Sequence, residues 1–254
     1  MNLGIRGKVA LVTGASSGIG RACALALAAE GVTLAVAARR LPELQKVAEL
    51  ARGLSGCEAL AFEVDLNDTG SIASMLQAVR DRLGAPEILI ANSGGPKPGT
   101  FTQTAREDWD SAYRGIFQSV IALVDGVLPE MRENKWGRIV LLASSSVKAP
   151  IANLVLSNAF RTGLVSAMKT LSLEVARDGV TINTIATGRI ATDRLKQLYT
   201  TDEAWQRAEQ EIPMGRIAVP EEFAPAVAFL CSHPASYITG QTLAIDGGLI
   251  ASLL

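Results

Sequence analysis

Lys8-Val9-Ala10-Leu11-Val12-Thr13-Gly14-Ala15-Ser16-Ser17-Gly18-Ile19-Gly20 is the stretch on which the fold turns. Residues 9–12 form an unbroken apolar run suited to a buried strand. The chain then enters a turn with glycines at 14, 18 and 20, ahead of a helical run over 21–30. Strand, phosphate loop and helix start follow one another. Gly14 permits a tight exit, Gly18 lets backbone N–H groups approach a pyrophosphate, and Gly20 lets the helix pack closely, while the helix start carries partial positive charge. A dinucleotide is the natural ligand of such a turn. Because glycines also gather in ordinary turns, the string takes its weight from its placement.

A chain of 254 residues that is 48% hydrophobic and 19% charged can bury one large core, and a single domain over 1–254 is expected. The net charge of -1, from 24 basic and 25 acidic residues, shows no bias toward nucleic acid or an anionic membrane, which leaves a small-molecule substrate as the expected partner. Cys23, Cys57 and Cys231 are odd in number and widely spaced, so they read as small buried hydrophobes in a reducing compartment, and no ligand cluster suggests a metal. The N-terminal residues show no long apolar segment ending in a small-residue cleavage site, and a cytoplasmic location is expected. The apolar stretches 115–128 and 154–176 are interrupted by Gln118, Asp125, Arg161 and Lys169, as in buried helices rather than membrane spans.

Outward from the first loop, strands are expected at 33–38, 57–64, 87–91, 137–143, 180–186 and around 242–245. Helices are expected at 41–52, 67–83, 106–133, 153–178 and 220–231. This alternation predicts an α/β fold with a doubly wound parallel sheet and right-handed crossovers. Ligands in such sheets bind beyond the carboxyl ends of the strands, so segments 13–20, 92–96, 144–150 and 187–192 should face one crevice. Residues 193–215, rich in charge and holding Tyr199, Trp205 and Pro213, read as an inserted, mobile substrate cover.

Several of these segments carry motifs. Thr13 to Gly20, Asp65-Leu66, Asn92-Ser93-Gly94, Ser144, Gly188 with Ile190 and Thr192, Tyr237 to Gln241 and Asp246-Gly247-Gly248 together resemble the short-chain dehydrogenase/reductase family, with a general likeness to 3-oxoacyl-carrier-protein reductases. The resemblance spans essentially the whole chain and implies a Rossmann-type fold. By it, Gly14, Ser16, Ser17, Gly18, Ile19 and Gly20 would hold the cofactor pyrophosphate and ribose, and Asp65 and Leu66 the adenine. Asn92 and Gly94 would meet the adjoining ribose, and Ile190 and Thr192 the nicotinamide amide. NADP(H) is favoured over NAD(H). Position 38 is Ala rather than an acid that would bind a ribose 2'-hydroxyl, and Arg39 beside it offers a forked cation to a 2'-phosphate, the alternative being that Arg39 and Arg40 are merely solvated. The resemblance also implies a homo-tetramer or homo-dimer built on the apolar faces of helices 106–133 and 153–178.

The family's chemistry rests on a Ser, a Tyr thirteen positions on, a Lys four beyond it and an Asn on the preceding long helix. In the register set by Ser144, Gly163 and Leu164, the Tyr and Lys places hold Ser157 and Arg161, and counting back from Pro129 on the long helix the Asn place holds Ile116. Only Ser144 remains of the set. The chain has 3 tyrosines, and four residues after Tyr113, Tyr199 and Tyr237 stand Phe117, Glu203 and Gln241, so no Tyr-x-x-x-Lys occurs in any frame. Thr187 also replaces the proline of the nicotinamide turn, and Ala91-Asn92 an asparagine pair. Carbonyl reduction needs a proton as well as a hydride. Ser157 is too weak an acid to supply it readily and Arg161 keeps its proton, so the acid catalysis lost is worth about 10² to 10⁴ in rate. Some enoyl- and dienoyl-thioester reductases of the family also carry Ser for Tyr, but they keep the Lys.

Two functions follow as expectations. The first is an NADP(H)-binding oxidoreductase with an altered site, transferring hydride to a small or thioester-linked carbonyl or activated alkene. Ser144 and Ser157 would orient the substrate and Arg161 would hold the nicotinamide ribose or oppose negative charge. The second is a nucleotide-binding protein without turnover, a sensor or assembly partner. Lys97, Lys148, Arg161 and Arg189 near the crevice are expected to converge on an anionic ligand, the alternative being solvated loop charges plus one helix Arg paired locally. His233, in Ser-His-Pro, reads as a surface turn residue, and without a nearby base or nucleophile elbow Ser144 to Ser146 do not suggest a hydrolase.

Overall fold

Short apolar runs bounded by turn residues become strands, and longer runs of 3.6-residue period become helices. The computed structural model describes residues 1–252. Its first half runs β1 (Val9–Thr13), α1 (Gly18–Ala29), β2 (Thr33–Ala38), α2 (Leu41–Ser55), β3 (Ala59–Glu63), α3 (Thr69–Leu83) and β4 (Ile88–Ala91). The second half runs α4 (Arg106–Ala112), a π-helical segment (Tyr113–Gln118), α5 (Ser119–Glu133), β5 (Gly137–Leu142), α6 (Val155–Val175), β6 (Val180–Thr187), α7 (Asp193–Leu198), α8 (Asp202–Gln210), α9 (Pro220–Leu230) and β7 (Thr242–Ile245).

The strands form one 7-stranded sheet, all parallel, in the order β3-β2-β1-β4-β5-β6-β7. Successive side chains point to opposite faces, so each strand feeds two cores. Val12, Val36 and Ile90 face Leu27, Leu44 and Phe223 of α1, α2 and α9. Leu11, Ala35 and Leu89 face Val79, Leu123 and Leu164 of α3, α5 and α6. The doubly wound expectation holds. Strand order reverses between β1 and β4, and there the helices leave to opposite faces and open a crevice.

The helix expected over 106–133 is instead α4 and α5 joined by the π-helical Tyr113–Gln118. Ile116 lies buried within that wider turn, and Ser119 Oγ donates to the Gly115 carbonyl at 2.9 Å. The strand expected at 57–64 is confined to Ala59–Glu63, and α3 starts two residues late because the Asp68 carboxylate caps it, accepting from the Gly70 N–H at 2.8 Å. Cys23 and Cys231 are buried, with burial pushing the Cys23 thiol up to about 12, whereas Cys57 is only half-buried. Residues 193–215 contain α7 and α8, folded over a satellite cluster of Leu195, Ala208, Ile212 and Ile217, against which Tyr199 and Trp205 pack. Among the described residues no helix is long and apolar enough to cross a membrane.

Candidate functional site: a phosphate loop between two cavities

Thr13 closes β1 and stitches it to β4. Its hydroxyl donates to the Asn92 carbonyl at 2.9 Å and accepts from the Asn92 N–H at 2.9 Å, while the Asn92 amide donates to the Gly14 carbonyl at 3.4 Å. The loop that follows has little room for side chains at its glycines. A Cβ at position 20 would press onto the Gly14 carbonyl, and Gly18 has φ +56 with the Thr192 methyl 3.1 Å from where its Cβ would stand. Ser17, the residue before α1, makes no side-chain cap, so the first N–H groups of that helix are left for a ligand. The donor set and the bare glycine cradle suit a pyrophosphate.

On one side of the loop lies a cavity of about 840 Å³ lined by Ala38, Arg39, Arg40, Asp65 and Leu66. The Asp65 carboxylate accepts from the backbone N–H and side-chain amide of Asn67, both at 3.0 Å, and these bonds, with Arg39 nearby, hold it below the usual carboxylate range. Arg39 lines the cavity as expected. Its neighbour, which the sequence did not single out, makes the contact with the loop: one Arg40 nitrogen donates to Ser16 Oγ and Ser17 Oγ at 3.0 Å each.

On the other side is a cavity of about 310 Å³ in which Ser144, Ser157, Arg161, Ile190 and Thr192 come together. Gly14, Ser17, Gly94 and Gly95 line both cavities, so a single elongated ligand can run from one to the other across the loop. Ser144 leaves the end of β5 and accepts from the Ser146 N–H at 3.1 Å, which leaves its own proton to donate into the cavity. Ser157 and Arg161 are one helical turn apart on α6 and share a face. The start of that helix is held in place by Asn158, whose amide donates to the Ile151 carbonyl at 2.9 Å and accepts from the Ile151 N–H at 3.2 Å. Arg161 is 7% exposed and donates to the carbonyls of Leu142 at 2.9 Å, Gly94 at 3.3 Å and Ser93 at 3.5 Å.

The structure corrects two expectations here. Of segment 144–150 only Ser144 reaches the crevice. The four cations do not converge: Arg189 is paired with Glu211 and lies over the Tyr199 ring. Lys97 lines the larger cavity but is paired with Asp108 at 2.9 Å, and Lys148 lines neither cavity. Arg161 alone of the four enters the smaller cavity, and the second cation there is Arg194, which sequence reasoning missed. Arg194 is a residue of the segment read as a cover, and α7 brings it back over the crevice so that it donates to the Pro96 carbonyl at 2.6 Å. Ile116 lines the larger cavity from its π turn, and His233 is an exposed turn residue after α9.

The family sequence model described as Enoyl-(Acyl carrier protein) reductase matches residues 14–250. A 3-oxoacyl-[acyl-carrier-protein] reductase of Escherichia coli (strain K12) is 34% identical over 249 residues, covering 97% of this chain and 99% of that protein. Nodulation protein G of Azospirillum brasilense is 35% identical over 247 residues, covering 95% and 98%. Among solved structures, L-sorbose reductase from Gluconobacter frateurii, complexed with NADPH and L-sorbose, superimposes with a TM-score of 0.94 at 32% identity over 100% of both chains. With a family model matching residues 14–250 and a relative 34% identical over nearly the full length of both chains, the chain belongs to the short-chain dehydrogenase/reductase family of oxidoreductases.

Proposed function

We propose that the protein is an NADP(H)-dependent oxidoreductase with an altered active site, acting on a small or thioester-linked carbonyl or an activated alkene. The observation that carries this reading is the continuity of the two cavities across an uncapped helix start, with Ser144, Ser157 and Arg161 gathered at one end and Arg39 and Arg40 at the other. The NADPH found with L-sorbose reductase supports the choice of cofactor. Two guanidinium groups beside the adenosine end, with no acid at position 38, suit a 2'-phosphate.

Bound NADPH would supply a hydride to the electrophilic carbon. The residues of the chain orient and stabilise. Ser144 and Ser157 donate hydrogen bonds to the substrate oxygen, and the buried Arg161 opposes the negative charge that the displaced π pair carries onto that oxygen or onto the α-carbon. The proton that completes reduction comes from water, since neither serine is acidic enough to give it and Arg161 holds its own. A second reading, nucleotide binding without turnover, draws support from Ile116, which puts a buried alkyl group where the family keeps an asparagine.

Titrating the purified chain with NADPH and NADH, and following NADPH oxidation with acyl thioesters and ketones, tests both readings. Turnover supports the first, and tight NADPH binding without turnover supports the second. Arg40→Gln is expected to weaken NADPH about 10-fold while leaving NADH nearly unchanged; equal losses for the two cofactors would remove the phosphate role. A homo-tetramer or homo-dimer is proposed on the faces of α4, α5 and α6, where Leu173 is 71% exposed and Tyr113 stacks on Phe117 at 5.8 Å. A light-scattering mass equal to one chain would reject it.

A further inference from the structure

Two guanidinium groups from different elements close on one four-residue loop, Ser93 to Pro96, at the smaller cavity. Arg161 reaches it from α6 through the carbonyls of Ser93 and Gly94. Arg194 reaches it from α7 through the Pro96 carbonyl, and it lies so close over Gly95 that a Cβ there would stand 2.8 Å from its Cζ. Burial first, and the Arg194 charge second, push the Arg161 guanidinium down to about 10, and burial lowers Arg194 as well. Yet among the described residues neither arginine is in an ion pair with a carboxylate, and the one acid that lines this cavity, Asp193, is exposed. Burying a cation against carbonyl dipoles alone leaves much of its lost hydration unreplaced. In the same cavity wall the Thr187 hydroxyl oxygen is buried with no hydrogen-bond partner. Two guanidinium groups and a hydroxyl thus line one small cavity as donors, a set that suits an anion with several acceptor oxygens.

We propose that Arg161 and Arg194 are a clamp for the carboxylate of a small substrate, a 2-oxo acid or 2-enoic acid whose reducible double bond adjoins that carboxylate. This rests on the reading above that the smaller cavity receives the nicotinamide. Arg39 and Arg40 stand on the far side of the loop and the start of α1 offers its own N–H groups to a pyrophosphate, so the cofactor phosphates have partners other than Arg161, which lines only the smaller cavity, and Arg194, which lines both. A cavity of about 310 Å³ that must also admit a nicotinamide has room for a substrate of only a few carbons beside it. A clamped carboxylate also compensates for what the site lacks. It fixes the substrate in one orientation, and two fixed cations cancel the negative charge that would otherwise repel an incoming hydride. The balance is that of an ordinary reduction: the hydride forms the new C–H bond, the C=O or C=C π bond breaks, and water protonates the atom that takes its electron pair.

The test compares acids with their neutral esters. The full chain saturated with NADPH is incubated with 2-oxobutyrate, crotonate and the methyl ester of each, and melting temperature and NADPH oxidation are measured. The acids are expected to raise the melting temperature or to be reduced, and the esters to do neither at the same concentration. Arg194→Gln is expected to lower the acid-to-ester affinity ratio about 10-fold, and Arg194→Lys to restore part of it. A general loosening of the fold moves both ligands alike and leaves that ratio unchanged. Esters binding as well as acids, no response to either acid, or an unchanged ratio in Arg194→Gln would each overturn the clamp. Failure of NADPH to bind removes the cofactor reading instead, and protection of the chain alone by the acids, lost in Arg194→Gln, would then still support the clamp.

Discussion

Two arginines are buried at opposite ends of β5, and they differ in what closes around them. Arg138 enters the strand at its amino end, 2% exposed, with Nε on the Ser232 carbonyl at 3.3 Å, a terminal nitrogen on the carbonyls of Gly137 at 2.8 Å and Gly179 at 3.1 Å, and its guanidinium 4.5 Å from the centre of the Trp136 ring. Arg161 sits at the carboxyl end, where its two terminal nitrogens also meet three carbonyls, but where the group lines a cavity shared with a second arginine. Burial of a guanidinium is therefore not in itself a sign of chemistry. What separates the two is the aromatic face over Arg138 and the cavity beside Arg161, and it is the cavity on which the proposed clamp rests.

The strongest way to break this contrast is to return the carboxyl end to the family's pattern. Ser157→Tyr combined with Arg161→Lys places a phenol and an ammonium in the expected register and should raise ketone reduction by about 10² or more, as positioned acid catalysis does. No gain would mean that the register of α6 has been misassigned. Denaturation separates the two ends more gently. Arg138→Met strands carbonyls in a sealed interior and should cost about 2–4 kcal/mol in urea unfolding, while Arg161→Met, whose carbonyls water can reach through the cavity, should cost less than about 1 kcal/mol. Equal costs would erase the distinction.

Titration sharpens it further. With its pKa depressed to about 10, Arg161 stays cationic at neutral pH, so carboxylate affinity should be level from about pH 6 to 9 and fall as pH rises through 10 and the guanidinium gives up its proton. Isothermal titration at a series of pH values would read this directly. The smallest effect belongs to the exposed Arg216–Glu222 pair, joined at 2.6 Å, where the guanidinium lowers the Glu222 carboxyl to about 2. A carboxyl depressed on folding stabilises most above its unfolded pKa, so this contribution is whole above about pH 4.5 and drains as pH falls toward 2. Glu222→Gln should flatten that acid limb of the stability curve and do nothing to carboxylate binding.

The sheet was legible because its central strands β1, β4 and β5 are buried on both faces and so appear as near-continuous apolar runs, and the phosphate loop because its glycines stand at fixed offsets from β1. The charges were less legible. Lys97 and Arg189 looked free in the sequence because their partners, Asp108 and Glu211, stand 11 and 22 residues away, and only the fold brings them near. Arg194 was hidden in a polar segment, and its contact with Pro96 spans 98 residues. Which of two adjacent arginines meets the loop serines depends on the backbone turn after β2, where Arg40, at φ -95 and ψ 85, precedes α2. The π-helical turn has no periodic signature of its own, since the apolar pattern of α4 and α5 runs through it.

The clasp of Asn158 on both polar groups of Ile151 has a kinetic consequence. One jamb of the cavity is pinned by paired amide bonds and cannot swing, whereas the facing one is a six-residue helix held across the crevice by Arg194. α7 is then the wall tied across the crevice through a side chain, and its unlatching is expected to set how fast a bound ligand departs, which stopped-flow release of NADPH from Arg194→Gln would read.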